Sequence, residues 1–383
     1  MPQSITIAIN GRWLLADKME GTGLYTHNII KLLIERHSYV DWHIFYDRTP
    51  IAPNLYPGAK IHILRPAARH PLLWTFWNEW LVPNKLLKIK PSIYWSPDGL
   101  LPSRKSLKNS SIKLITTIHD LNFVHRPNEI PSRVGTYYRK TCEKSAKEAD
   151  RIFTVSKTSK DDIIKTYLKL EADIDITYNA PQKELNALEE KQKIEAREKY
   201  GNGNPYFCFL GSFTPRKNLK TIVIAFNSWC LVNPNDKHQL VIGGRSLHED
   251  EELSNALKDG NNRISLPGFI SSEELNSFYG GATAFLFPSF FEGFGIPIIE
   301  AMASNCLVLS SDSSCMPEIA EDAAFYCRPK QVQDWINALD FSVGQHESVK
   351  ALKSKGLERA KYFRWENSAA QVWESFNDIL SND

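Results

Sequence analysis

The chain has 383 residues, of which 42% are hydrophobic and 23% are charged, and its formal net charge is +2. This composition excludes a disordered chain, and at roughly 150 residues per domain the length favours two domains. The apolar stretches are too short to span a bilayer, and six scattered cysteines without a C-x-x-C pair indicate reduced thiols rather than zinc sites or disulfides.

Short β-rich runs alternate with helix-like stretches through the first half of the chain. The runs are 5–10, 43–46, 60–64, 92–95, 112–118 and 151–155. Alternation of this kind predicts a parallel sheet covered by helices on both faces. The first run follows neither a basic region nor a cleavage site, so we expect no secretory signal and a cytoplasmic protein.

Two glycines follow the first strand. The segment Glu20-Gly21-Thr22-Gly23-Leu24-Tyr25 precedes a helix predicted over 26–36. It lacks the third glycine of the G-x-G-x-x-G spacing, so it is weak support for a dinucleotide site. A tight turn explains the glycines equally well.

The region between Lys60 and Lys160 is strongly basic, with 19 Lys and Arg against 7 Asp and Glu. Tryptophans recur there at Trp74, Trp77 and Trp80, and lysines follow at Lys85, Lys88 and Lys90. Aromatic stripes at helical spacing are more often core, and a basic region is often only a solvated face. Together, however, the two features also fit a docking face for a lipid-linked acceptor at an anionic membrane surface. We expect no nucleic-acid partner.

A β-branched strand over 115–118 ends at His119 and Asp120. Ligands of open α/β sheets bind at the carboxyl ends of the strands, which makes His119 a candidate site residue. A lone histidine is more often structural. Asp120 is an alternative capping residue for the next element.

Asp173-Ile174-Asp175 matches the D-x-D pattern that holds a divalent cation in some transferases. A three-residue pattern is easily matched by chance. We predict a solvated turn here, before a strand-like run at 176–178, and we expect no metal cofactor.

A charged, helix-like segment at 184–200 leads into the turn formers of 201–205, and a second β/α alternation follows. Its β-rich runs are 206–210, 238–242, 263–266, 284–287 and 307–309. We therefore predict an α/β protein with Rossmann-like domains at 1–183 and 184–364. A final helix at 365–383 is predicted to pack back on the first domain.

The segment 209–219 reads as a buried strand that leads through Gly211 and a turn into a helix. Arg216 and Lys217 lie beside the helix start, where they would bind a diphosphate. Arginine can bind phosphate oxygens bidentately, whereas lysine acts as a point charge. Taken alone, the two residues are better explained as exposed cations on a loop.

The segment 288–303 predicts a buried strand, a glycine loop and a helix N-terminus. Gly293 and Gly295 flank Phe294 and let the backbone turn tightly, and Pro297 suits the first helical turn. Backbone amides at such a helix start favour a diphosphate. Glu300, predicted in the first turn, could accept hydrogen bonds from a ribose diol, and Glu292 precedes the turn.

This segment resembles the signature of the family-4 retaining glycosyltransferases, in which two glutamates are separated by seven residues, as Glu292 and Glu300 are. The resemblance extends to Ser289 and to Pro317-Glu318, and a weaker likeness covers nearly the whole chain. It implies the GT-B architecture, in which two Rossmann-like domains face a central cleft.

The resemblance also implies roles for single residues. Glu300 would hold the donor ribose, Glu292 would contact the donor hexose, and the loop with Arg216 and Lys217 would bind the phosphates. His119 would contact the donor sugar and line the reaction centre. Gly21 and Gly23 would lie next to the acceptor and the donor phosphate. Many members carry arginine directly after the glycine of the phosphate loop, where this chain has Ser212.

The implied function is retaining, metal-independent transfer of a hexose from a nucleotide-diphosphate donor to a saccharide or lipid-linked saccharide. The motif set looks like that of bacterial mannosyltransferases of surface polysaccharide assembly, so mannose is the first expectation. A glycoside hydrolase fits less well, because its paired carboxylates flank the scissile bond rather than a phosphate site. The alternatives are a nucleotide-sugar epimerase of the same architecture and a non-catalytic nucleotide-sugar-binding subunit.

Overall fold

The computed structural model describes residues 5–14, 21–50, 52, 54–68, 70–182, 185–245, 250–259, 262–344 and 346–381. The chain divides into two compact units. The N-terminal unit comprises Met1–Asn179 and Arg364–Asp383, and the C-terminal unit comprises Ala180–Phe363. These boundaries lie one to four residues from those predicted at 183/184 and 364/365. Glu20 of the first glycine segment lies outside the described residues.

The N-terminal unit is built on a parallel sheet with the strand order β3-β2-β1-β4-β5-β6-β7. The strands are β1 Thr6–Asn10, β2 Asp41–Tyr46, β3 Ala59–Ile63, β4 Ile93–Ser96, β5 Lys113–Thr117, β6 Arg151–Thr154 and β7 Ile174–Ile176. The helices are α1 Thr22–Arg36, α2 Pro71–Phe76, α3 Val82–Ile89, α4 Asn122–His125, α5 Ser132–Glu148 and α6 Lys157–Tyr167. In the register of the central strands, Ile9 pairs with Ile44 on one side and Trp95 on the other.

Strands of the first sheet are apolar on both faces because helices cover both faces. On one face, Tyr94 and Leu114 of the sheet pack in one cluster with Leu86 of α3 and Ala146 of α5. All four are fully buried. Because this core is apolar, polar residues are found in the loops beyond the carboxyl ends of β1, β4 and β5.

The C-terminal unit repeats the design with the strand order β10-β9-β8-β11-β12-β13, again all parallel. The strands are β8 Tyr206–Leu210, β9 Gln239–Gly243, β10 Ile264–Gly268, β11 Ala284–Phe287, β12 Leu307–Ser311 and β13 Phe325–Cys327. The helices are α7 Glu190–Gly201, α8 Leu219–Val232, α9 Glu251–Lys258, α10 Leu275–Gly280, α11 Ile296–Ala303, α12 Met316–Ala320, α13 Val332–Val343 and α14 Glu347–Ala360. Phe207 and Leu286 of the sheet pack with Phe226 of α8 and Trp335 of α13. The prediction of two Rossmann-like α/β halves is confirmed.

The last helix, α15 Trp365–Ser381, lies in the N-terminal unit, against α1 and the strands β6 and β7. The ring of Trp373 stacks on His37 at a centroid distance of 3.7 Å. Ser375 donates a hydrogen bond from Oγ to a carboxylate oxygen of Asp175 at 2.7 Å. Phe376 packs edge-on against Trp95 of β4 at a centroid distance of 5.9 Å, so the end of α1 and a face of the sheet cover the aromatic side chains of this helix.

Asp173-Ile174-Asp175 is not the solvated turn that we predicted. Asp173 ends a short 3-10 turn, and Asp175 lies in the edge strand β7, where its carboxylate is 3.4 Å from Arg151. The prediction placed a strand-like run two residues too late, at 176–178, because β7 has only three residues and a charged centre. Asp175 is thus a structural residue that joins the sheet edge to α15.

The tryptophan stripe is divided between core and surface. Trp77 is fully buried, and its indole Nε1 donates to the carbonyl oxygen of Leu64 at 3.1 Å. Trp74 is partly buried against Tyr137, whereas Trp80 is 64% exposed. The stripe does not keep one face because residues 77–81 form a π-helical turn, which inserts one residue into the helical repeat.

We predict that Gly244→Ala lowers the free energy of unfolding by roughly 3–5 kcal/mol. Gly244 follows β9 with φ at +128°, and an added Cβ would lie 1.9 Å from the carbonyl oxygen of Gly211. Equilibrium urea denaturation measures the loss. Gly268→Ala is the matched control, because φ there is +83° but no atom lies within 4 Å of the added Cβ. It should cost about 1–2 kcal/mol, and equal losses in the two variants would contradict the steric explanation.

Candidate active site

The first loop of the candidate site joins β8 to α8. A 3-10 turn spans Pro215–Lys217, and Asn218 then adopts a left-handed conformation with φ at +54°. The Asn218 side-chain amide donates to the carbonyl oxygens of Pro288 at 3.1 Å and Pro329 at 2.7 Å. These bonds fasten the loop to the segments that follow β11 and β13.

The second loop joins β11 to α11. Gly295 precedes the helix with φ at +92°, and Pro297 lies in the first turn, as predicted. The hydroxyl of Ser314 accepts a hydrogen bond from the backbone N–H of Glu292 at 3.3 Å and donates to the Glu292 carbonyl at 2.8 Å. One serine side chain therefore holds the backbone of Glu292 on both sides.

Phe294 lies in the same loop, between Gly293 and Gly295. Its side chain is buried, and the ring packs edge-on against Phe363 at a centroid distance of 5.3 Å. The thiol of Cys315 contacts its backbone carbonyl oxygen at 3.2 Å. The Phe294 side chain therefore packs against the protein. At this position only the backbone is left to contact a nucleotide-sugar donor.

Glu292 forms ion pairs with both cations of the first loop. Its Oε2 lies 2.5 Å from Nη1 of Arg216, and its Oε1 lies 2.8 Å from Nζ of Lys217. The Lys217 ammonium also lies 4.9 Å from the ring centroid of Phe287. An added Cβ at Gly211 would lie 3.5 Å from Cε of Lys217, so this glycine packs beside the lysine stem. The structure therefore brings three predicted site residues into contact.

Burial and charge act on this cluster in opposite directions. Burial alone would raise the pKa of Glu292, but the neighbouring charges of Lys217 and Arg216 outweigh it and hold the pKa at about 2. Burial lowers the pKa of Lys217, and the carboxylate of Glu292 offsets part of that effect. The geometry is that of two basic side chains paired with one carboxylate. The cluster is less cationic than the sequence predicted.

Glu300 lies in the second turn of α11, not in the first turn as we predicted, because the helix begins at Ile296. Its side chain is buried, and Tyr279 donates a long hydrogen bond of 3.4 Å from its hydroxyl to Oε2. Burial raises the pKa of Glu300 to about 7, and its hydrogen bonds with the Gln182 backbone and Tyr279 oppose this only in part. Glu300 therefore titrates near neutral pH.

His119 lies in the N-terminal unit, just beyond the end of β5. Its Nε2 lies 3.0 Å from the carbonyl oxygen of Pro97, and the ring of Tyr25 meets it edge-on at a centroid distance of 5.0 Å. Burial lowers the pKa of the imidazole, whereas the bond to Pro97 raises it. Asp120 accepts a hydrogen bond from the backbone N–H of Asn122 at 2.9 Å, at the start of α4. Leu121, not Asp120, is the N-cap residue of α4, and the Asp120 side chain instead closes a turn just before the helix.

The two glycines of the first loop occupy different positions. Gly21 precedes α1 with φ at +49°, whereas Gly23 lies inside the first turn of the helix and is buried. Only Gly21 has the backbone conformation that favours glycine. The predicted glycine loop is therefore mostly the start of a helix.

Sequence reasoning missed a buried ion pair in the N-terminal unit. Arg12 and Asp98, which are 5% and 3% exposed, lie 2.8 Å apart beyond the ends of β1 and β4. Asp98 and His119 also line a cavity of about 250 Å³, together with Tyr138. The sequence does place Arg12 and Asp98 each just after a predicted strand. Single charged residues after strands usually lie in solvated loops, however, so the ion pair was not predicted.

The absence of a metal cofactor stays a prediction. Among the residues that the structure describes, His, Cys, Asp and Glu side chains nowhere form a group of three or more that could hold a metal ion. The charged groups of the C-terminal loops are instead the ion-paired Arg216, Lys217 and Glu292.

Comparisons with known proteins identify the family. Residues 190–359 match the family described as Glycosyl transferases group 1, and residues 19–180 match Glycosyltransferase Family 4. O-antigen chain mannosyltransferase B of Escherichia coli is 27% identical over 382 residues, which cover 94% of this chain and 96% of that protein. O-antigen chain mannosyltransferase RfbU of Salmonella typhimurium is 28% identical over 301 residues, or 77% of each chain.

The fold is also shared with solved structures. The crystal structure of HepE from Anabaena in complex with UDP superposes with a TM-score of 0.73 at 14% identity, and the match covers 98% of this chain and 100% of HepE. At this identity the likeness concerns the fold, which is the GT-B fold. The two family matches together span most of the chain, and with this fold they identify the protein as an enzyme that belongs to the family-4 glycosyltransferases.

Proposed function

We propose that the enzyme transfers mannose, with retention of anomeric configuration, from a nucleoside-diphosphate sugar to a saccharide or lipid-linked saccharide of a surface polysaccharide. Two relatives named as O-antigen chain mannosyltransferases support the sugar and the acceptor class. HepE, which has the same fold, was solved with UDP, and this supports a nucleotide donor. GDP-mannose is the first donor to test.

The cluster of Arg216, Lys217 and Glu292 is the observation that carries the proposal. When the bond between the anomeric carbon and the phosphate oxygen breaks, its electron pair stays on the leaving diphosphate. Fixed cations beside that oxygen stabilise the transition state more than the ground state. In the proposed reaction the acceptor oxygen bonds to the anomeric carbon on the same face, and its proton passes to the leaving phosphate oxygen. No step requires a metal ion.

Glu292 has two successive partners in this proposal. In the free enzyme its carboxylate forms ion pairs with Arg216 at 2.5 Å and with Lys217 at 2.8 Å. A bound diphosphate competes for the same cations, and the released carboxylate then accepts hydrogen bonds from hydroxyl groups of the hexose. Hydrogen bonds from the sugar hydroxyl groups therefore replace the ion pairs that the carboxylate loses. His119 is also proposed to contact the transferred sugar.

We predict that Glu292→Gln lowers kcat by about 10²–10³-fold, because an amide cannot replace the carboxylate at the sugar. The same variant should bind free GDP more tightly than the wild type, since no carboxylate competes for Arg216 and Lys217. Steady-state kinetics and calorimetry measure the two effects. Glu252→Gln is the matched control, because Glu252 is also paired with a lysine but is well exposed. Unchanged turnover, or weaker GDP binding in Glu292→Gln, would contradict the proposed role.

Glu300 predicts a pH dependence of donor binding. Because the ribose diol donates to an ionised carboxylate and the pKa of Glu300 is about 7, affinity should fall as the pH decreases below 7. The loss should approach about tenfold per pH unit. Calorimetry with GDP-mannose between pH 5 and pH 8.5 measures it, since the diphosphate diester of the donor does not titrate in this range. Glu300→Gln should bind weakly with little pH dependence, and an unaltered pH dependence in this variant would refute the assignment.

The same titration affects stability with the opposite sign. Burial favours the protonated form of Glu300, so the contribution of this residue to stability falls as the pH rises from about 4.5 to about 7. Glu300→Gln should therefore melt at a higher temperature than the wild type at pH 8, and the difference should shrink at pH 4.5. Thermal denaturation at the two pH values measures this.

Peripheral membrane association is a further part of the proposal. Within the described residues, no helix combines the length and the apolar character needed to cross a bilayer. Leu72, Phe76 and Trp80 recur every four residues and are 75%, 42% and 64% exposed. The exposed Lys88 and Lys90 follow them at the end of α3. Apolar side chains beside cations suit insertion at an anionic lipid surface, where a lipid-linked acceptor is located.

We predict that Leu72→Ser/Phe76→Ser/Trp80→Ser lowers the partition of the protein onto vesicles with 30% phosphatidylglycerol by at least about tenfold. Cosedimentation at low salt measures the partition. Leu231→Ser/Val232→Ser is the control, because these C-terminal side chains are 76% and 71% exposed but are not part of this face. Equal loss in both variants, or no binding of the wild type, would contradict the membrane proposal.

A further inference from the structure

The buried ion pair between Arg12 and Asp98 has no part in the function proposed so far. Its two side chains are 5% and 3% exposed and lie 2.8 Å apart. Removing two charges from water costs about as much free energy as their mutual attraction returns, so a buried pair is a poor stabiliser. If Arg12 and Asp98 do not mainly stabilise the fold, they can instead hold neighbouring groups in position. Their contacts show which groups these are.

A closed set of hydrogen bonds extends from the pair. The side-chain amide of Asn10 donates to Oγ of Ser96 at 3.0 Å, and Ser96 donates to Oδ1 of Asp98 at 2.9 Å. Asn10 Oδ1 in turn accepts from the backbone N–H of Arg12 at 3.0 Å. Asn10 and Ser96 are buried as well. The end of β1 is thereby fastened to the loop that follows β4.

Pro97 lies in that loop, between Ser96 and Asp98, and its carbonyl oxygen is 3.0 Å from Nε2 of His119. A carbonyl oxygen can only accept a hydrogen bond, so Nε2 carries the ring hydrogen whenever this bond is made. Nδ1 is then the ring nitrogen that can accept a hydrogen bond from a hydroxyl group. The position of the Pro97 carbonyl therefore decides both the orientation and the tautomer of His119.

The cation of the pair is itself enclosed by aromatic rings. The guanidinium carbon of Arg12 lies 5.5 Å from the ring centroid of Trp13 and 5.6 Å from that of Trp74. Cation–π contacts of this length are favourable, and more so where water is excluded. Arg12 thus cannot swing away from Asp98 without losing these contacts. Trp74, one of the three tryptophans of the stripe, contributes to holding Arg12.

We propose that Arg12 and Asp98 are positioning residues for His119. Through the loop at Pro97 they hold the imidazole as the Nε2–H tautomer, with Nδ1 basic, in the cavity that His119 and Asp98 line together with Tyr138. This inference rests on the proposed role of His119 at the transferred sugar. It adds two residues that position the imidazole through Pro97, and the charge of Asp98 also acts on the imidazole directly by raising its pKa.

The direct test is the tautomer of His119. Nitrogen NMR of the full-length protein labelled with 15N-histidine distinguishes the two tautomers, and His119→Gln assigns the signal. The wild type should show a single neutral tautomer with the hydrogen on Nε2. A wild-type signal with the hydrogen on Nδ1 would overturn the proposal before any variant is made.

The second test removes the pair. Arg12→Met/Asp98→Asn removes both charges together and leaves no buried charge without a partner. In this variant His119 should show both tautomers, and kcat should fall by about tenfold or more with the KM for GDP-mannose unchanged. Arg12→Lys keeps the charge and should retain most of the Nε2–H tautomer. A single tautomer and full turnover in the double variant would overturn the proposal.

Arg104→Met/Asp150→Asn is the matched control. Arg104 and Asp150 form an ion pair at the amino ends of the strands of the same sheet, whereas Arg12 and Asp98 follow the carboxyl ends. Asp150 precedes β6 and accepts a hydrogen bond from the backbone N–H of Leu114, near the start of β5, at 2.6 Å. This variant should lose stability and keep the His119 tautomer. If both double variants alter His119 equally, the effect is general destabilisation and the proposal fails.

The outcome is separable from that of the proposed function. If calorimetry detects no binding of GDP-mannose while the tautomer responds to Arg12→Met/Asp98→Asn, the donor assignment fails and the positioning role stands. If the donor binds and the tautomer does not respond, the positioning role fails alone.

Discussion

A buried carboxylate between two cations determines how the loops of the C-terminal unit are arranged. Glu292 reaches Arg216 and Lys217 only if the loop after β8 and the loop after β11 keep a fixed register, since a buried charge without its partner is strongly destabilising. Asn218 and Ser314 provide that register through bonds to neighbouring carbonyl groups. The same cations can serve a diphosphate because the two loops already hold them in place, so that only the carboxylate of Glu292 changes partners when it binds.

Two glutamates eight positions apart in the sequence have opposite electrostatic environments. The pKa of Glu292 is held at about 2, because its neighbours are cations, whereas burial raises the pKa of Glu300 to about 7, because its partners are a hydroxyl group and a backbone group. Glu292 is therefore ionised at every physiological pH, and Glu300 is close to half ionised at neutrality. A carboxylate kept in such a position lowers stability, which is a common property of residues that are retained for binding.

In the N-terminal unit, the buried ion pair of Arg12 and Asp98 is surrounded by the neutral polar side chains of Asn10 and Ser96. Arg12 and Asp98 join the ends of β1 and β4, and the loop between Ser96 and Asp98 presents a carbonyl group to His119. In both units the polar residues lie at the carboxyl ends of parallel strands, where the helix N-termini also begin. The tryptophan segment 74–80 belongs partly to the core and partly to the surface, since Trp77 is buried and Trp80 is exposed.

The sequence by itself determined the two α/β halves, the positions of most strands and the identity of the charged residues in the C-terminal loops. It could do so because burial on both faces produces continuous apolar runs, and because glycines and prolines mark the turns between them. The bounds of short strands were predicted less accurately from the sequence. Strand β7 has three residues, one of them the aspartate that we assigned to a solvated turn, and its β-structure depends on pairing with β6.

Only the tertiary structure decided which charges meet. The sequence shows Arg216, Lys217 and Glu292 as separate polar residues of two loops, and nothing in their spacing states that the carboxylate lies between the cations. The same is true of Arg12 and Asp98, which follow strands that are neighbours in the sheet but far apart in the chain. Local patterns record which residues are buried, whereas partners across a fold are set by strand order and helix packing, and these are properties of the whole chain.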